Sequence, residues 1–408
     1  MSQSVVRFIH ASDFHLERPP YGVSQVPDHL RDVFLEAPYW GAERVFEAAI
    51  AEQVDFVLLA GDLVDADAAG PRGPLFLQSQ FQRMHERGIN VYWSAGGVDP
   101  PERWPRGIKL PDNVHYFSQA HVERIAHVRH GQTVAEILGV RRPSTGRVST
   151  DAFALPRSGA FRIALVHASA AAEHWNERGI DYWALGGKHR RQTLLTSPCH
   201  VHYPGTPQGR SPHDTGSRGA TLVEVDASRA VRIRTVGTEI LHWHQERIEL
   251  ADGMSRAAIE TAFADRLQHL IATTGGTDLM VRWTAVAGRH GAIWNPGAVD
   301  NLIRLLRERF GRGTPVTWTV AIDVELADSP LVADAEHESV LADLLEAVRD
   351  LDRHSEQPLG VEEYLTHRQA TAALGKLVQP TDRAARQRLL KGVSTLGVQL
   401  LCPEEAPS

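Results

Sequence analysis

Through the first 237 residues, short runs of β-branched and aromatic residues recur, and several of them close on an aspartate or a histidine. The run VVRFIH is followed by amphipathic spacing over Trp40–Gln53, then DFVLLA, then Leu75–Gly88, then NVYWSAG. A period of two alternating with a period near 3.6 predicts a βαβαβ order. The later runs VHYFS, VERIAH, VAEILG, FRIALVHAS, DYWALGG, HVHYPG, GATLVEVD and AVRIRTV have few helical segments between them, which predicts a second sheet. The fold class that follows is α/β: two sheets packed face to face with helices outside, since each sheet must bury an apolar face.

The residues that close the runs are hard metal ligands. Asp13 and His15 lie two residues apart after the first run, a spacing that in extended backbone turns both side chains to one side. Asp62 ends AGDLVD, where Gly61 permits a tight turn and the carboxylate emerges at the C-terminal edge of the sheet, able to bridge two cations. His167 ends ALVH and His189 follows ALGG. A single D-x-H is most simply a strand end with a capping aspartate, whereas five such residues at successive strand ends point to a metal centre.

Composition narrows which centre. The chain of 408 residues exceeds what one compact core supports. Only Cys199 and Cys402 are present, which leaves neither a disulfide framework nor a thiolate zinc cage. No uncharged apolar stretch is long enough to span a bilayer, so a cytoplasmic protein with no membrane partner is expected. Residues 1–237 carry 26 Lys and Arg against 25 Asp and Glu, and the remainder 17 against 25. With no overall basic footprint, any contact with DNA must rest on local arginines and on a metal.

After residue 237 the pattern changes, so the candidate metal ligands all belong to a domain of residues 1–237. Residues 238–330, with helical spacing over Ser255–Thr273 and Pro296–Phe310, read as a small α+β module. Residues 331–408 read as helices only, separated by Pro and Gly signals.

The first 237 residues resemble the calcineurin-like metallophosphoesterases, and among them the SbcD-type DNA-repair exonucleases with their bacterial YhaO-like branch. The segments that carry the resemblance are SDFHL, AIAEQVDFVLLAGDLVDAD, the position of SAGGVDP, ALVHAS, ALGGKH and YPGTPQGRSP. The resemblance implies metal-dependent phosphodiester hydrolysis at DNA ends, Mn²⁺ as the expected ion (Mg²⁺, Fe or Zn²⁺ being other candidates), a homodimer, and an SMC-like ATPase of SbcC or YhaN type as partner. Residues 238–330 resemble that family's capping domain in pattern, and the helical C-terminus would dock either on the partner or on its own domain. Carried over position by position, the first metal would be held by Asp13, His15, Asp62 and His189, all present.

The second metal would use Asp62 and His167 together with an Asn and a His that are here Gly97 and Gly187. The family's G-N-H-D is Gly96, Gly97, Val98, Asp99, so its titratable His, which would assist the leaving oxygen, is valine. One ion is therefore expected, and hydrolysis reduced or lost, because one ion supplies only part of what a two-ion site does. The alternatives are a non-catalytic scaffold for DNA ends or an ATPase, a mononuclear phosphodiesterase or phosphatase on a small substrate in which a cationic side chain, Lys188 or the following Arg190 and Arg191, replaces the second ion, and a two-ion centre completed by ligands from elsewhere in this His-rich chain. The expected rescue combines Gly97→Asn, Val98→His and Gly187→His. Arg190, Arg191 and Arg210 are candidate phosphate or DNA contacts, a solvated loop being the plainer reading of KHRR. Cys199, His200 and His202 are set aside as a strand rather than a zinc site, His10 as a sheet residue, and Asp99 as a turn residue before Pro100.

Overall fold

The computed structural model describes residues 4–24, 26–142, 146, 149–154, 159–168, 175–288, 292–294, 297–327, 340–354, 359 and 383–401. The chain divides into two compact units, Met1–His244 and Gln245–Ser408. The sequence reading places its boundaries at 237 and 330. Much of 331–408 lies outside the described residues.

The first unit runs β1 (Ser4–Ala11), α1 (Asp28–Ala51), β2 (Phe56–Leu59), α2 (Ala66–Ala69), α3 (Arg72–His85), β3 (Asn90–Ser94), β4 (Val114–Phe117), β5 (Glu123–Arg129), β6 (Gln132–Val140), β7 (Phe161–His167), β8 (Tyr182–Gly186), β9 (Gln192–Leu195), β10 (His200–Tyr203), β11 (Gly219–Asp226) and β12 (Val231–Gly237). One six-stranded sheet has the order β12-β11-β1-β2-β3-β4 and the other β5-β6-β7-β8-β10-β9. Both are mixed: β1, β2, β3 and β4 run parallel, as do β6, β7, β8 and β10, with antiparallel pairs at the edges.

Strand alternation decides which layer each residue joins. Val57 and Leu59 of β2 face the helices, packing with Phe46, Leu77 and Phe81, while Phe56 and Leu58 face the other sheet and meet Ile137, Ile163, Leu165 and Tyr182. In that inter-sheet layer Phe8 stacks on Phe56 at 5.1 Å and meets the Tyr182 ring edge-on at 5.4 Å. The outer face of the second sheet is covered by Phe153 and Trp175, which pack on Trp183. Helix α1 begins well before the expected Trp40. Pro38 masks its first half in the sequence, yet the helix continues through it because Leu30, Phe34 and Ala37 bury their side chains. That burial offsets the ladder bond a proline removes, a loss of about 3 kcal/mol.

In the second unit, β13 (Leu241–Leu250), within which the division falls, forms a three-stranded sheet with β14 (Asp278–Ala287) and β15 (Thr317–Leu326) in the order β13-β14-β15. Helices α4 (Arg256–Thr273) and α5 (Ala298–Phe310) supply Phe263, Leu267, Leu302 and Leu306 to a core with Trp283 and Ile322. Ser255 caps α4, its side chain accepting the Ala258 N–H at 3.3 Å. Helices α6 (Val340–Arg353) and α7 (Arg383–Leu401) complete the described chain. No helix among the described residues is long and apolar enough to cross a membrane.

Candidate metal centre

The parallel strands of both sheets deliver their C-terminal ends to one place. Two groups of three residues there have ligand atoms within 4.8 Å of one another: Asp13, His15 and His189, and Asp13, Asp62 and His167. Asp13 is common to both groups. Asp62 Oδ2 lies between them, 3.9 Å from His15 Nε2 and 3.3 Å from His167 Nε2.

The route by which Asp13 and His15 converge differs from the one expected. They do not extend β1, which ends at Ala11; Asp13 has φ +56° and His15 φ +45°. Asp62, with φ +55°, is a third non-glycine residue in this left-handed region. Such conformers cost about 1–3 kcal/mol each and persist only where surroundings over-determine them. Here the two loops zip together: the Asp13 N–H donates to Gly61 O at 2.9 Å, His15 to Asp62 O at 3.1 Å and Leu16 to Leu63 O at 3.1 Å. Gly61, at φ +80°, leaves no room for a side chain, since a Cβ would lie 2.7 Å from Gly96 Cα and 2.8 Å from His167 Nδ1.

Each ligand has a holder. Ser12 Oγ at 2.6 Å and the Gly187 N–H at 3.0 Å both donate to Asp13 Oδ2, which leaves Oδ1 free. Gly97 and Val98 N–H both donate to Asp62 Oδ1, leaving Oδ2 to face His167 Nε2. His167 Nδ1 lies 2.8 Å from Ala60 O, which fixes its proton there and turns Nε2 toward Asp62. Burial alone would lower the His167 pKa, but the Asp62 contact and the charges of Asp13 and Asp62 lift it to about 9. Asp62 is held correspondingly low: burial opposes ionisation, and His167 and the Val98 N–H outweigh it. Arg210 donates to His189 Nδ1 at 3.0 Å. Burial lowers the His189 pKa, with Asp13 opposing and Arg210 assisting, and the Arg210 bond occupies the lone pair of the neutral ring, which an ion would have to displace.

Two carboxylates that the sequence reading did not place in the site organise it. Glu17 is buried, with Oε1 3.4 Å from His15 Nδ1 and Oε2 accepting the Asp65 N–H at 3.0 Å. It occupies the outer position from which a carboxylate orients a ligating histidine. Asp99, expected to be a turn residue, is instead an acceptor hub. Its Oδ1 takes the N–H groups of Asp62 at 3.1 Å and Gly96 at 2.6 Å, and its Oδ2 takes Leu63 N–H at 3.0 Å and Trp93 Nε1 at 3.1 Å. Burial and the Asp62 charge raise its pKa to about 6. No motif reading reports this, because each partner but Trp93 is backbone.

The degenerate positions stand where their absent side chains would have met. A Cβ on Gly187 would lie 3.2 Å from His167 Nε2, and one on Gly97 3.5 Å from Asp62 Oδ1. The basic residues divide differently from expectation. Lys188 Nζ donates to Gln192 Oε1 at 3.0 Å and lies over the Tyr203 ring, outside the centre, so it does not stand in for a cation. Arg191 turns inward to Ala220 O at 3.2 Å beside the His10, Tyr182 and His202 network. Arg210 is buried on His189 rather than presented outward, and only Arg190 is exposed. His202 bonds Thr193 and Thr221, with no metal cluster around Cys199 and His200 among the described residues.

A cation fits the first half of this centre. Asp13 Oδ1 and His15 Nε2 are buried without a hydrogen-bond partner, His15 Nδ1 facing Glu17, and a hard divalent ion suits carboxylate and imidazole together. Residues 6–188 match the calcineurin-like phosphoesterase family. The uncharacterized metallophosphoesterase YhaO of Bacillus subtilis (strain 168) is 28% identical over 377 residues, 85% of this chain and 90% of that protein. The DNA double-strand break repair protein Mre11 of Sulfurisphaera tokodaii is 22% identical over 248 residues, 54% of this chain and 60% of its own length. Among solved structures, a dimetal phosphatase from Danio rerio aligns with a TM-score of 0.36 at 10% identity, over 58% of this chain and 97% of that one. Residues 6–188 thus belong to the calcineurin-like phosphoesterases and form a metallophosphoesterase domain.

Proposed function

We propose that this chain binds phosphodiesters at DNA double-strand ends through one divalent cation, as a nuclease-family subunit whose hydrolytic capacity is below that of a two-cation site. The observation that carries the reading is an asymmetry in hydrogen bonding. Of the candidate ligand atoms buried without a hydrogen-bond partner, His15 Nε2 lies in the first half and Asp13 Oδ1 on the aspartate common to both groups, while His15 Nδ1 faces Glu17 Oε1 at 3.4 Å. The second half satisfies itself: Asp62 Oδ1 is taken by Gly97 and Val98 N–H, His167 Nδ1 by Ala60 O, and His167 Nε2 faces Asp62 Oδ2 at 3.3 Å.

Asp13, His15, Asp62 and His189 would hold the ion. When bound, it supplies Lewis acidity and a water of lowered pKa. The chain's own contribution is positional. Asp62 and Asp13 present one fixed oxygen each, His167 keeps its Nδ1 proton on Ala60 O, and the exposed Gly97 edge leaves the centre open to a phosphate. Val98 offers no proton, so a departing alkoxide has no titratable donor at that position. The DNA arm of the reading is supported by similarity to Mre11 proteins. A homodimer, Mn²⁺ and an SMC-like ATPase of SbcC or YhaN type belong to the same proposal.

The test is Mn²⁺ titration by calorimetry with elemental analysis, followed by a nuclease assay on blunt duplex ends. One Mn²⁺ per chain and slow cleavage that Asp62→Asn abolishes are expected. Two tightly held ions per chain, or no binding at all, would overturn the one-cation reading.

A further inference from the structure

The place vacated by the family's second-metal asparagine is not empty. A Cβ built on Gly97 would lie 3.1 Å from Arg142 Nη1, 3.6 Å from its Cζ and 3.5 Å from Asp62 Oδ1. We propose that the Arg142 guanidinium serves as a fixed protein cation in the second half of the centre and anchors the non-bridging oxygens of a bound phosphate group. The inference rests on the one-cation reading above and names the group that completes it.

Backbone hydrogen bonds bring Arg142 there. Ser94 Oγ at the end of β3 donates to Val140 O at the end of β6 at 2.7 Å, and the Arg142 N–H then donates to Ala95 O at 2.9 Å. These two bonds stitch the end of β6 to the SAGG turn, so Arg142 reaches the centre from the neighbouring sheet. Its neighbour Arg141 is engaged elsewhere, pairing with Glu102 at 2.8 Å. Arg142 makes no ion pair among the described residues, and its side chain is exposed at the same mouth as Gly97.

The chemistry suits the role. A guanidinium carries its charge at every working pH and presents parallel N–H donors that match two phosphate oxygens. A divalent ion at the first half and a guanidinium at the second would hold a phosphate between them, as two ions do, with less charge on the side of the second. Gly97 is part of the device. A side chain at 97 would start within contact of Nη1, so an asparagine ligand and the arginine compete for one space.

The test reads binding rather than turnover. Inorganic phosphate is titrated into wild type, Arg142→Ala and Arg142→Lys, each metal-free and each with Mn²⁺, by ³¹P NMR or calorimetry. Arg142→Ala is expected to weaken phosphate binding about tenfold or more in both series, with Arg142→Lys between it and wild type. The Mn²⁺ stoichiometry and affinity should stay within about twofold of wild type, because Arg142 touches no ligand of the first half. Phosphate affinity that is unchanged in Arg142→Ala overturns the proposal, as does a loss accompanied by lost Mn²⁺ binding, or a wild type that binds no phosphate. A wild type that binds phosphate through Arg142 yet takes up no Mn²⁺ would instead overturn the one-cation reading and leave the anchor standing.

Discussion

Asp99→Asn is the sharpest probe of how the centre is held. The two side chains have nearly the same shape, but each Asp99 oxygen accepts two N–H donors: Asp62 and Gly96 on Oδ1, Leu63 and Trp93 Nε1 on Oδ2. Whichever oxygen becomes an NH₂ group, two buried donors are left facing a donor. At about 1–3 kcal/mol for each orphaned buried group, the loss is about 2–6 kcal/mol, against a total stability of about 5–15 kcal/mol for a typical domain. Chemical denaturation of the metal-free first unit's transition at pH 7.5 measures it. Calorimetry on the same variant should show weaker Mn²⁺ binding, since either the Asp62 N–H or the adjoining Leu63 N–H has lost its anchor. The pH dependence gives a second check. Burial, then the charge of Asp62, raises the Asp99 pKa to about 6, above its unfolded value, so the native carboxyl takes up its proton first as pH falls. Wild type therefore gains stability that the variant, with no titrating group there, does not, so the gap between them should widen as pH drops from about 6 toward the unfolded carboxyl value. A loss under 1 kcal/mol would refute the hub, and a gap that narrows below pH 6 would contradict the raised Asp99 pKa.

Further outcomes follow from neighbouring residues. Glu17→Ala should weaken Mn²⁺ binding about 10–100-fold, measured by calorimetry, by releasing the carboxylate that faces His15 Nδ1. His202 is buried and neutral, its pKa pulled down to about 3 by burial, then by Arg191 and His200. Its contribution to stability is therefore complete above the unfolded value near 6.5 and falls by about 1.4 kcal/mol per pH unit below that, so urea midpoints of His202→Asn should fall less steeply between pH 6 and 4. Gly97→Asn with Val98→His and Gly187→His should not restore a second ion by itself. Gly187 has φ +99°, which strains any side chain, and Arg142 holds the space at 97. Elemental analysis should find a second Mn²⁺ only when Arg142→Ala is added, and a second ion in the triple variant would contradict the competition.

The convergence of the candidate ligands Asp13, His15, Asp62, His167 and His189 was legible because each ends or follows a buried apolar run whose end is fixed by strand length. What the sequence hid has physical causes. Asp99 and Glu17 act on backbone N–H groups and on a ring nitrogen, partners that leave no spacing rule behind. Arg142 reaches Gly97 only through a stitch between residues 94 and 140, a contact set by the packing of two sheets. Lys188 and Arg191 read as basic loop residues, yet one lies over Tyr203 and the other reaches Ala220 O. The left-handed turns at Asp13, His15 and Asp62 also escape propensity, since non-glycine residues adopt them only under tertiary constraint.

Those turns bear on whether the centre needs its metal to exist. Three left-handed residues at about 1–3 kcal/mol each are a load the loops must carry continuously. The bonds that carry it, from Asp13, His15 and Leu16 N–H to Gly61, Asp62 and Leu63 carbonyls, involve no ligand atom. The ligand positions are therefore set by backbone before any ion arrives, which spares the ion the cost of ordering them. What remains for an ion is to satisfy Asp13 Oδ1 and His15 Nε2, of which the second belongs to the first half alone. In the second half, His167 and the backbone already engage Asp62, and Arg142 stands beside the gap at Gly97. A second ion would have to displace those protein groups rather than fill a vacancy, and that difference in starting state is why the two halves should bind metal so unequally.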